Sequence, residues 1–291
     1  LKQAIRAHRP DIVHIHSRRG ADLWGGLAAK LAGVPCVLSR RVDNPEARWA
    51  VSLKYRLFDH VITISEGIRQ VLLAEGLAPE KVSCVRSAVD PAPYLHDYDK
   101  TAFRADLGFE ADTPIVGMVA QLIQRKGHRY LLAALPAVLA EHPDLQVLIY
   151  GRGPLEAELR QAVADQGLAG NVQLMGFADD LPAQLGCLDL LVHPADMEGL
   201  GVSLLQASAA RVPIIASRAG GMPEAVVDGE NGLLISVGDV AALATAMNRL
   251  LGDAGLRKQM GDSGWTMVMH DFSVDTLCEG NLAIYKKVLA Q

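Results

Sequence analysis

Residues 193–224 read HPADMEGLGVSLLQASAARVPIIASRAGGMPE, and this stretch decides the fold class. A glycine-rich loop opens one helix, the aliphatic run VPIIAS follows, and Gly220-Gly221 opens a second helix. A helix start presents unsatisfied N–H groups and the positive end of the helix dipole, which favour an anion. Nearby carboxylates and amides accept hydrogen bonds from hydroxyls. The stretch therefore indicates an α/β domain with a site for a phosphate-bearing sugar, such as a nucleotide sugar.

The same alternation of aliphatic runs and amphipathic segments extends over the whole chain and predicts βαβ units with parallel sheets. The runs are DIVHIHS, VPCVLS, HVITIS and KVSCVRSA, then PIVGMVA, LQVLIYG, NVQLMGF, LDLLVHP, VPIIAS and NGLLIS. A polar, proline-rich piece separates the two sets and marks a domain boundary. We expect a first domain over residues 1–111, a second over 112–271, and a C-terminal helix over 272–291 that packs back on the first domain.

Composition excludes several classes of protein. The 291 residues carry a net charge of -5, which argues against a general nucleic-acid partner. The apolar runs are too short for a membrane span. Two arginine pairs, Arg18-Arg19 and Arg40-Arg41, are either solvated surface or contacts for an acidic ligand or a membrane surface. The four cysteines form no C-x-x-C pair, so neither a zinc site nor a disulfide framework is expected, and a reducing cytosol is the default.

The chain opens with LKQAIRAHRPD, which has no initiator Met and no signal-peptide pattern. We expect the front of the first domain to be missing.

Two adjacent cations, Arg125 and Lys126, follow the run PIVGMVA just before Gly127. In open parallel sheets, ligands lie beyond the carboxyl ends of the strands. Cations at this position can neutralise a diphosphate and stabilise the charge that grows as it leaves. The alternative is a solvated basic loop.

Gly151-Arg152-Gly153 follows LQVLIY and is a broken dinucleotide fingerprint, because Glu156 occupies the third glycine position. A tight turn is the better interpretation, with close approach of Gly153 to a ligand as a secondary role. Phe177 follows the run NVQLM and is either a core residue or a contact for a nucleobase.

Glu198 lies in a loop with Gly199 and Gly201, ahead of a helix predicted to begin near Val202. Its carboxylate either complements the helix dipole or contacts a ligand that the glycines allow to approach. Gln206 lies one turn inside that helix, where its amide can bind a ribose hydroxyl.

The paired glycines Gly220 and Gly221 offer N–H groups to an oxyanion or phosphate. Pro223 suits the first helical position and Glu224 the first turn of a helix, so both also have a purely structural explanation.

His14 and His16 alternate on a predicted strand and so share one face. No Asp or Cys ligand is evident nearby, so a hydrogen-bonded core histidine is the common outcome for such a pair. His16 is nearer the carboxyl end of the strand and is the better candidate for touching a substrate.

Taken together, PDIVHIHS, DHVITISEGIRQ, the RKG turn, GRGP and the EGLG…GGMPE segment resemble the retaining glycosyltransferases of family four, from His8 to the end of the chain. The resemblance implies the GT-B fold, in which two Rossmann-like domains with parallel sheets face each other across a cleft. It also implies metal-independent transfer, with retention, of a sugar from a nucleotide diphosphate to a saccharide or lipid-linked acceptor, with no cofactor besides the donor.

The resemblance assigns roles to individual residues. Lys126 would hold the diphosphate, Glu198 would contact the donor sugar, and His16 would line the reaction site. The remaining donor contacts are expected at Arg125, Gly153, Phe177, Gly199, Gly201, Gln206, Gly220, Gly221 and Glu224.

Three features depart from the family pattern. Gln206 replaces the usual ribose-binding glutamate, and a neutral amide binds more weakly by roughly 1 kcal/mol. Gln121 stands where an arginine is common, and Ser87-Ala88-Val89-Asp90 replaces Asn-Gly-Val-Asp at the linker.

The function expected from these features is glycosyl transfer in the synthesis of cell-envelope glycan or lipopolysaccharide, in the cytoplasm or at the inner face of the membrane. UDP is the working choice of nucleotide, with the base, the sugar and the acceptor left open. Two alternatives remain: a nucleotide-sugar binding module without turnover and, less favoured, a nucleotide-sugar epimerase.

Overall fold

The computed structural model describes residues 1–16 and 20–290. Each of the ten aliphatic runs contains a strand, because such runs bury both faces of a parallel sheet. The strands are β1 Val13–His16, β2 Cys36–Arg40, β3 His60–Thr63, β4 Val82–Cys84, β5 Ile115–Val119, β6 Gln146–Tyr150, β7 Val172–Gly176, β8 Leu190–His193, β9 Ile214–Ser217 and β10 Gly232–Ile235. The pairs of neighbouring strands in the described residues are parallel.

Helices connect the strands, and several begin at side-chain caps. The hydroxyl of Ser65 accepts from the N–H of Ile68, and Asp239 and Asp253 cap two later helices in the same way. The helices are α1 Lys2–His8, α2 Ala21–Ala32, α3 Arg48–Lys54, α4 Glu66–Ala74, α5 Lys100–Asp106, α6 His128–Glu141, α7 Glu156–Asp165, α8 Leu181–Leu185, α9 Val202–Ala209, α10 Met222–Ala225, α11 Val240–Gly252, α12 Ala254–Asp271 and α13 Val274–Leu289. Short 3₁₀ turns cover Tyr55–Leu57, Pro79–Lys81, Ala92–Tyr94 and Gln124–Lys126.

The chain forms two units, and the first consists of Leu1–Ala88, Glu198–Leu200 and the C-terminal segment from Val274. Its sheet has the order β1-β2-β3-β4. Helix α13 belongs to this unit, where Ile284 and Val288 pack with Val37 and Ile62 of the sheet.

The second unit consists of Val89–Met197 and Gly201–Ser273, and its sheet has the order β10-β9-β8-β5-β6-β7. The chain builds β5, β6 and β7 outward in one direction, then returns to place β8 on the other side of β5. This reversal leaves a crevice at the carboxyl ends of β5 and β8, which is where open α/β sheets bind ligands.

The second unit begins at Val89, ahead of the start at residue 112 expected from the sequence. Arg104 of α5 explains the difference. Its guanidinium is buried, donates to the carbonyl of Thr113, and pairs with Asp189 at 2.8 Å. Tyr98 packs against Gly186, where a Cβ would lie 2.2 Å from the tyrosine ring. These contacts attach the proline-rich segment to the second sheet.

The predicted α/β class with two parallel sheets is confirmed. Among the described residues, no helix has both the length and the apolar character needed to cross a bilayer.

Candidate functional site

The loops after β5 and β8 meet at the crevice of the second sheet. The 3₁₀ turn Gln124–Lys126 follows β5 and leads through Gly127, at φ 77°, into α6. A Cβ at Gly127 would lie 1.9 Å from the carbonyl oxygen of Pro194, so only glycine fits. The N–H of Asp196 donates to the carbonyl of Arg125 at 2.8 Å. The RKG turn and the start of the 193–224 stretch are therefore one structure, although 66 positions separate Gly127 from His193 in sequence.

Asp196 also joins these loops through its side chain. One carboxylate oxygen accepts from the guanidinium of Arg129 and the other from the hydroxyl of Tyr130, both at 2.8 Å. Sequence reasoning missed all three residues. The available signal was the position of an acidic residue directly after the strand β8.

Lys126 lies beside two buried histidines. Lys126 is 7% exposed, and His128 and His193 are almost fully buried. Burial, helped by the neighbouring His193 and Lys126, lowers the pKa of His128 to about 4, so its ring is neutral at pH 7. Lys126 therefore lies next to a neutral His128 ring rather than next to a second cation at that position. A cation held in a largely buried place acts more strongly on an anion than one in bulk water.

The glycines of Gly151-Arg152-Gly153 are required by packing between loops. A Cβ at Gly151 would lie 1.9 Å from the carbonyl oxygen of Ala120, and one at Gly153 would lie 2.3 Å from that of Leu122. The structure thus explains both glycines without a ligand, and a donor contact at Gly153 stays a prediction.

A pocket of about 330 Å³ opens at the carboxyl ends of β5, β6 and β7, and Gln121, Tyr150, Arg152 and Phe177 help to line it. Phe177 is 61% exposed, so the core interpretation of this residue is wrong. The guanidinium of Arg152 lies 5.7 Å from its ring centroid. The buried hydroxyl of Tyr150 has no hydrogen-bond partner among the described residues. The pocket thus offers an aromatic face and a cation, whereas the Tyr150 hydroxyl is buried beneath it.

Helix α9 begins at Val202, as predicted, with Gly201 at φ 88° as its N-cap. Gln206 is half-buried one turn inside it, and its side chain hydrogen-bonds the hydroxyl of Tyr94. Burial raises the pKa of Tyr94, which keeps the phenol neutral. The sequence offered no signal for this pair, because Tyr94 lies in the segment assigned to the linker.

The Gly220-Gly221 turn differs from expectation. Helix α10, which follows it, spans only Met222–Ala225, a single turn with too few aligned peptides for a substantial dipole. Pro223, expected at the first helical position, is the second. Gly220 adopts φ 56° and is exposed, and Glu224 is half-buried in the turn. The turn therefore offers backbone N–H groups rather than a helix terminus.

In the first unit, His14 and His16 lie on one face of β1, with ring centroids 4.4 Å apart. His14 is hydrogen-bonded to Ser39 at 2.8 Å and to Tyr285 at 2.5 Å. Burial, with His16 nearby, lowers its pKa to about 4. The structure thus makes His14 a hydrogen-bonded interior residue and leaves His16 exposed at the end of the strand.

Glu198 and Gly199 also belong to the first unit. Glu198 is half-buried and accepts from the N–H of Gly199 at 3.2 Å. A Cβ at Gly199 would lie 3.3 Å from the carbonyl oxygen of Arg41 and from a methyl of Ile68, so packing accounts for this glycine.

The two arginine pairs have different outcomes. Arg40 is 4% exposed, pairs with Glu46 at 3.2 Å and donates to the carbonyl of Asn44, so it is neither solvated surface nor a free contact for a ligand or membrane. Arg41 is exposed. Arg18 and Arg19 lie outside the described residues. Within the described part of the chain, no cluster of three or more His, Cys, Asp or Glu side chains is placed to hold a metal ion.

Two parallel sheets define an open α/β protein, and its second sheet brings Lys126 to the crevice where such sheets bind ligands. Residues 99–266 match the family described as glycosyl transferases group 1, and residues 1–93 match glycosyltransferase family 4. The chain belongs to this family of group 1 glycosyltransferases, as the sequence predicted.

Two curated relatives are mannosyltransferases. The chain is 36% identical over 190 residues to the GDP-mannose-dependent monoacylated alpha-(1-6)-phosphatidylinositol monomannoside mannosyltransferase of Corynebacterium glutamicum, covering 62% of this chain and 49% of that protein. The chain thus spans about half the length of this relative. It is 35% identical to the GDP-mannose-dependent alpha-(1-6)-phosphatidylinositol monomannoside mannosyltransferase of Mycobacterium tuberculosis, covering 86% of this chain and 69% of that one.

Among solved structures, Anabaena HepE in complex with UDP and glucose superposes with a TM-score of 0.88 at 23% identity, covering 98% of this chain and 81% of HepE. The structural neighbours have the GT-B fold, so the predicted fold is confirmed.

Proposed function

We propose that this protein is a retaining, metal-independent glycosyltransferase that moves a sugar from a nucleotide diphosphate to a saccharide or lipid-linked acceptor. The observation that carries the proposal is the position of Lys126. Lys126 is 7% exposed and lies at the crevice of the second sheet, in a turn that only Gly127 permits. Placing a cation there is favourable when it meets an anion. A diphosphate fits this position and needs no metal ion for its charge.

In the proposed step, the acceptor hydroxyl attacks the anomeric carbon from the face that the diphosphate leaves. The new C–O bond forms as the bond between that carbon and the diphosphate oxygen breaks, and the leaving phosphate takes the proton of the hydroxyl. Arg125 and Lys126 stabilise the growing negative charge. Glu198 hydrogen-bonds the donor sugar and His16 lines the reaction site.

The pocket beside Phe177 suits the base of the donor. Its exposed ring provides a stacking surface, and the guanidinium of Arg152 lies over that ring. UDP is the working choice, supported by the UDP complex of HepE, whereas the mannosyltransferase relatives are GDP-mannose-dependent.

Gln206 is assigned to a ribose hydroxyl of the donor. The remaining proposed donor contacts are Gly201, Gly220, Gly221 and Glu224. The acceptor side is assigned to the first unit. A role in cell-envelope glycan or lipopolysaccharide synthesis, in the cytoplasm or at the inner face of the membrane, fits a relative named as a lipopolysaccharide core glycosyltransferase of Rhizobium meliloti.

The first test is a thermal-shift screen of UDP-, GDP- and ADP-sugars with the wild-type chain and with Lys126→Met, which keeps the aliphatic stem and removes the charge. A ligand present at about 100 times its Kd stabilises the native state by about 2.7 kcal/mol. We expect one class of donor to raise the Tm of the wild type and Lys126→Met to lose most of that rise. Lys258→Met is the matched control, because Lys258 is 80% exposed.

The second test is turnover in the full-length protein. Transfer or donor hydrolysis that disappears in Lys126→Met supports the proposal, and undiminished turnover contradicts it. Donor binding without transfer or hydrolysis would instead identify a binding module, and a changed sugar without any acceptor, detected by NMR, would identify an epimerase.

A further inference from the structure

One pair of opposite charges holds the 3₁₀ turn that ends at Lys126. Arg129 donates from Nη1 to the carbonyl of Gln124 at 2.7 Å. The N–H of Asp196 donates to the next carbonyl, that of Arg125, at 2.8 Å. The Nη2 of Arg129 also pairs with the carboxylate of Asp196 at 2.8 Å, which closes a ring of contacts around the turn. We call Arg129 and Asp196 the turn clamp.

Tyr130 supports the turn clamp. Its hydroxyl donates to the second carboxylate oxygen of Asp196 at 2.8 Å and accepts from Nη2 of Arg129 at 2.6 Å. The guanidinium carbon of Arg129 lies 4.2 Å from the centroid of the tyrosine ring. A Cβ at Gly238, in the loop after β10, would lie 3.5 Å from the same ring. The clamp thus connects the loops that follow β5, β8 and β10 in the second unit.

The charges of the clamp contribute little to the stability of the fold. The side chains of Arg129 and Asp196 are 41% and 30% exposed, and water competes for both partners of such an ion pair. Lys126, in contrast, is 7% exposed and belongs to the turn that the clamp holds. The contacts therefore affect the position of this turn more than the free energy of unfolding.

We propose that the turn clamp positions Lys126 for the diphosphate of the donor, which makes Arg129 and Asp196 positioning residues for the transfer reaction. This inference rests on the proposed function of Lys126. A cation that is already in place binds an anion more tightly, because ordering a loop during binding costs affinity. Arg129 acts through the turn, since its guanidinium is already bonded to Gln124, Tyr130 and Asp196.

The sign of one substitution separates positioning from a simple effect of charge. Asp196 is an acidic residue at the crevice where the anionic donor is proposed to bind. If only its charge mattered, Asp196→Ala would strengthen donor binding, because a repulsive charge is removed. If the clamp positions the turn, the same change weakens donor binding although the protein has become less negative.

Calorimetry with the nucleotide sugar selected by the thermal-shift screen measures this sign. We expect Asp196→Ala and Arg129→Ala each to weaken donor affinity about tenfold. The double variant should lose no more than either single variant, because both residues act through one clamp. Asp196→Asn keeps an acceptor for Arg129 and Tyr130 and should restore most of the affinity. Asp262→Ala is the matched control, because Asp262 also accepts from an arginine and is 40% exposed.

Hydrogen exchange without donor tests the clamp by itself. The N–H of Lys126 donates to the carbonyl of Ile123 at 3.1 Å, and the N–H of Gly127 donates to that of Gln124 at 3.3 Å. We expect Asp196→Ala to exchange these two amides about tenfold faster, with a Tm within about 3 °C of the wild type. The control variant at position 262 should exchange them as the wild type does.

Unchanged or stronger donor binding by Asp196→Ala would overturn the proposal, and so would unchanged exchange of the two amides. Losses that multiply in the double variant would also contradict it, because they would give Arg129 a separate contact with the donor. A wild type that binds no donor would contradict the proposed function together with this inference. Weaker binding by Asp196→Ala with faster exchange at the turn and an intact fold supports the clamp.

Discussion

Replacing Gly127 with alanine tests how the two loops of the site are joined. At φ 77°, alanine is less favourable than glycine by about 1 kcal/mol. Its Cβ must also withdraw from 1.9 Å to an ordinary 3.4 Å from the carbonyl oxygen of Pro194. That displacement breaks the bond from the N–H of Asp196 to Arg125, which contributes about 1 kcal/mol, and strains the Asp196 side chain. We expect a loss of about 3 kcal/mol in total.

Gly167→Ala is the matched control, because Gly167 adopts φ 69° with no neighbour within 4 Å of the added Cβ. It should lose only the conformational part, about 1 kcal/mol. Urea unfolding can be followed in the second unit alone by the fluorescence of Trp265, in a background carrying Trp24→Phe and Trp49→Phe. If Gly127→Ala destabilises the unit no more than Gly167→Ala does, the assigned contact between the loops is wrong.

Two further outcomes follow from buried polar groups. Tyr94→Phe removes the hydrogen bond to the Gln206 side chain and lets the Gln206 amide rotate. The nucleotide affinity measured by calorimetry should therefore fall about fivefold. An unchanged affinity would show that Gln206 does not bind the donor. Burial, as the first cause, lowers the pKa values of His14, His60 and His128 to about 4 from the ordinary 6.5. Between these values the unfolded chain binds more protons than the native chain, so stability is complete above pH 6.5 and falls as the pH decreases towards 4. Urea unfolding at several pH values should show this decline in the free energy of unfolding. In His128→Asn the slope of that free energy against pH should be smaller by about 1 kcal/mol per pH unit. A wild-type free energy that does not change with pH would contradict the assignment of neutral, buried histidines.

The strands could be predicted because their signal is local. A run such as LDLLVHP is mostly apolar at successive positions, and a run of that length between turn residues is typical of a strand buried on both faces. The start of α9 at Val202 was predictable for a similar reason. The preceding glycine Gly201 adopts a positive φ, which a helix does not use, so the helix begins directly after it. The family followed from motifs whose order and spacing are visible along the chain.

The exposure of Phe177 and the burial of Arg40 were not predictable, because the same residue types occur in both environments. What decides between them is the surrounding chain. Phe177 is exposed above a pocket, and Arg40 is buried because Glu46 and the carbonyl of Asn44 are there to receive its charge and hydrogen bonds.

The α/β class, the ten strands and the family could be predicted without a structure, because periodicity and motif spacing are properties of residues close together in the sequence. In contrast, the contact of Asp196 with the RKG turn and the hydrogen bond between Gln206 and Tyr94 became visible only in the folded chain. Both contacts exist because strand order in the second sheet reverses between β5 and β8 and because the proline-rich segment packs on that sheet. These are long-range pairings, and burial and hydrogen bonding select them only once the whole sheet has formed.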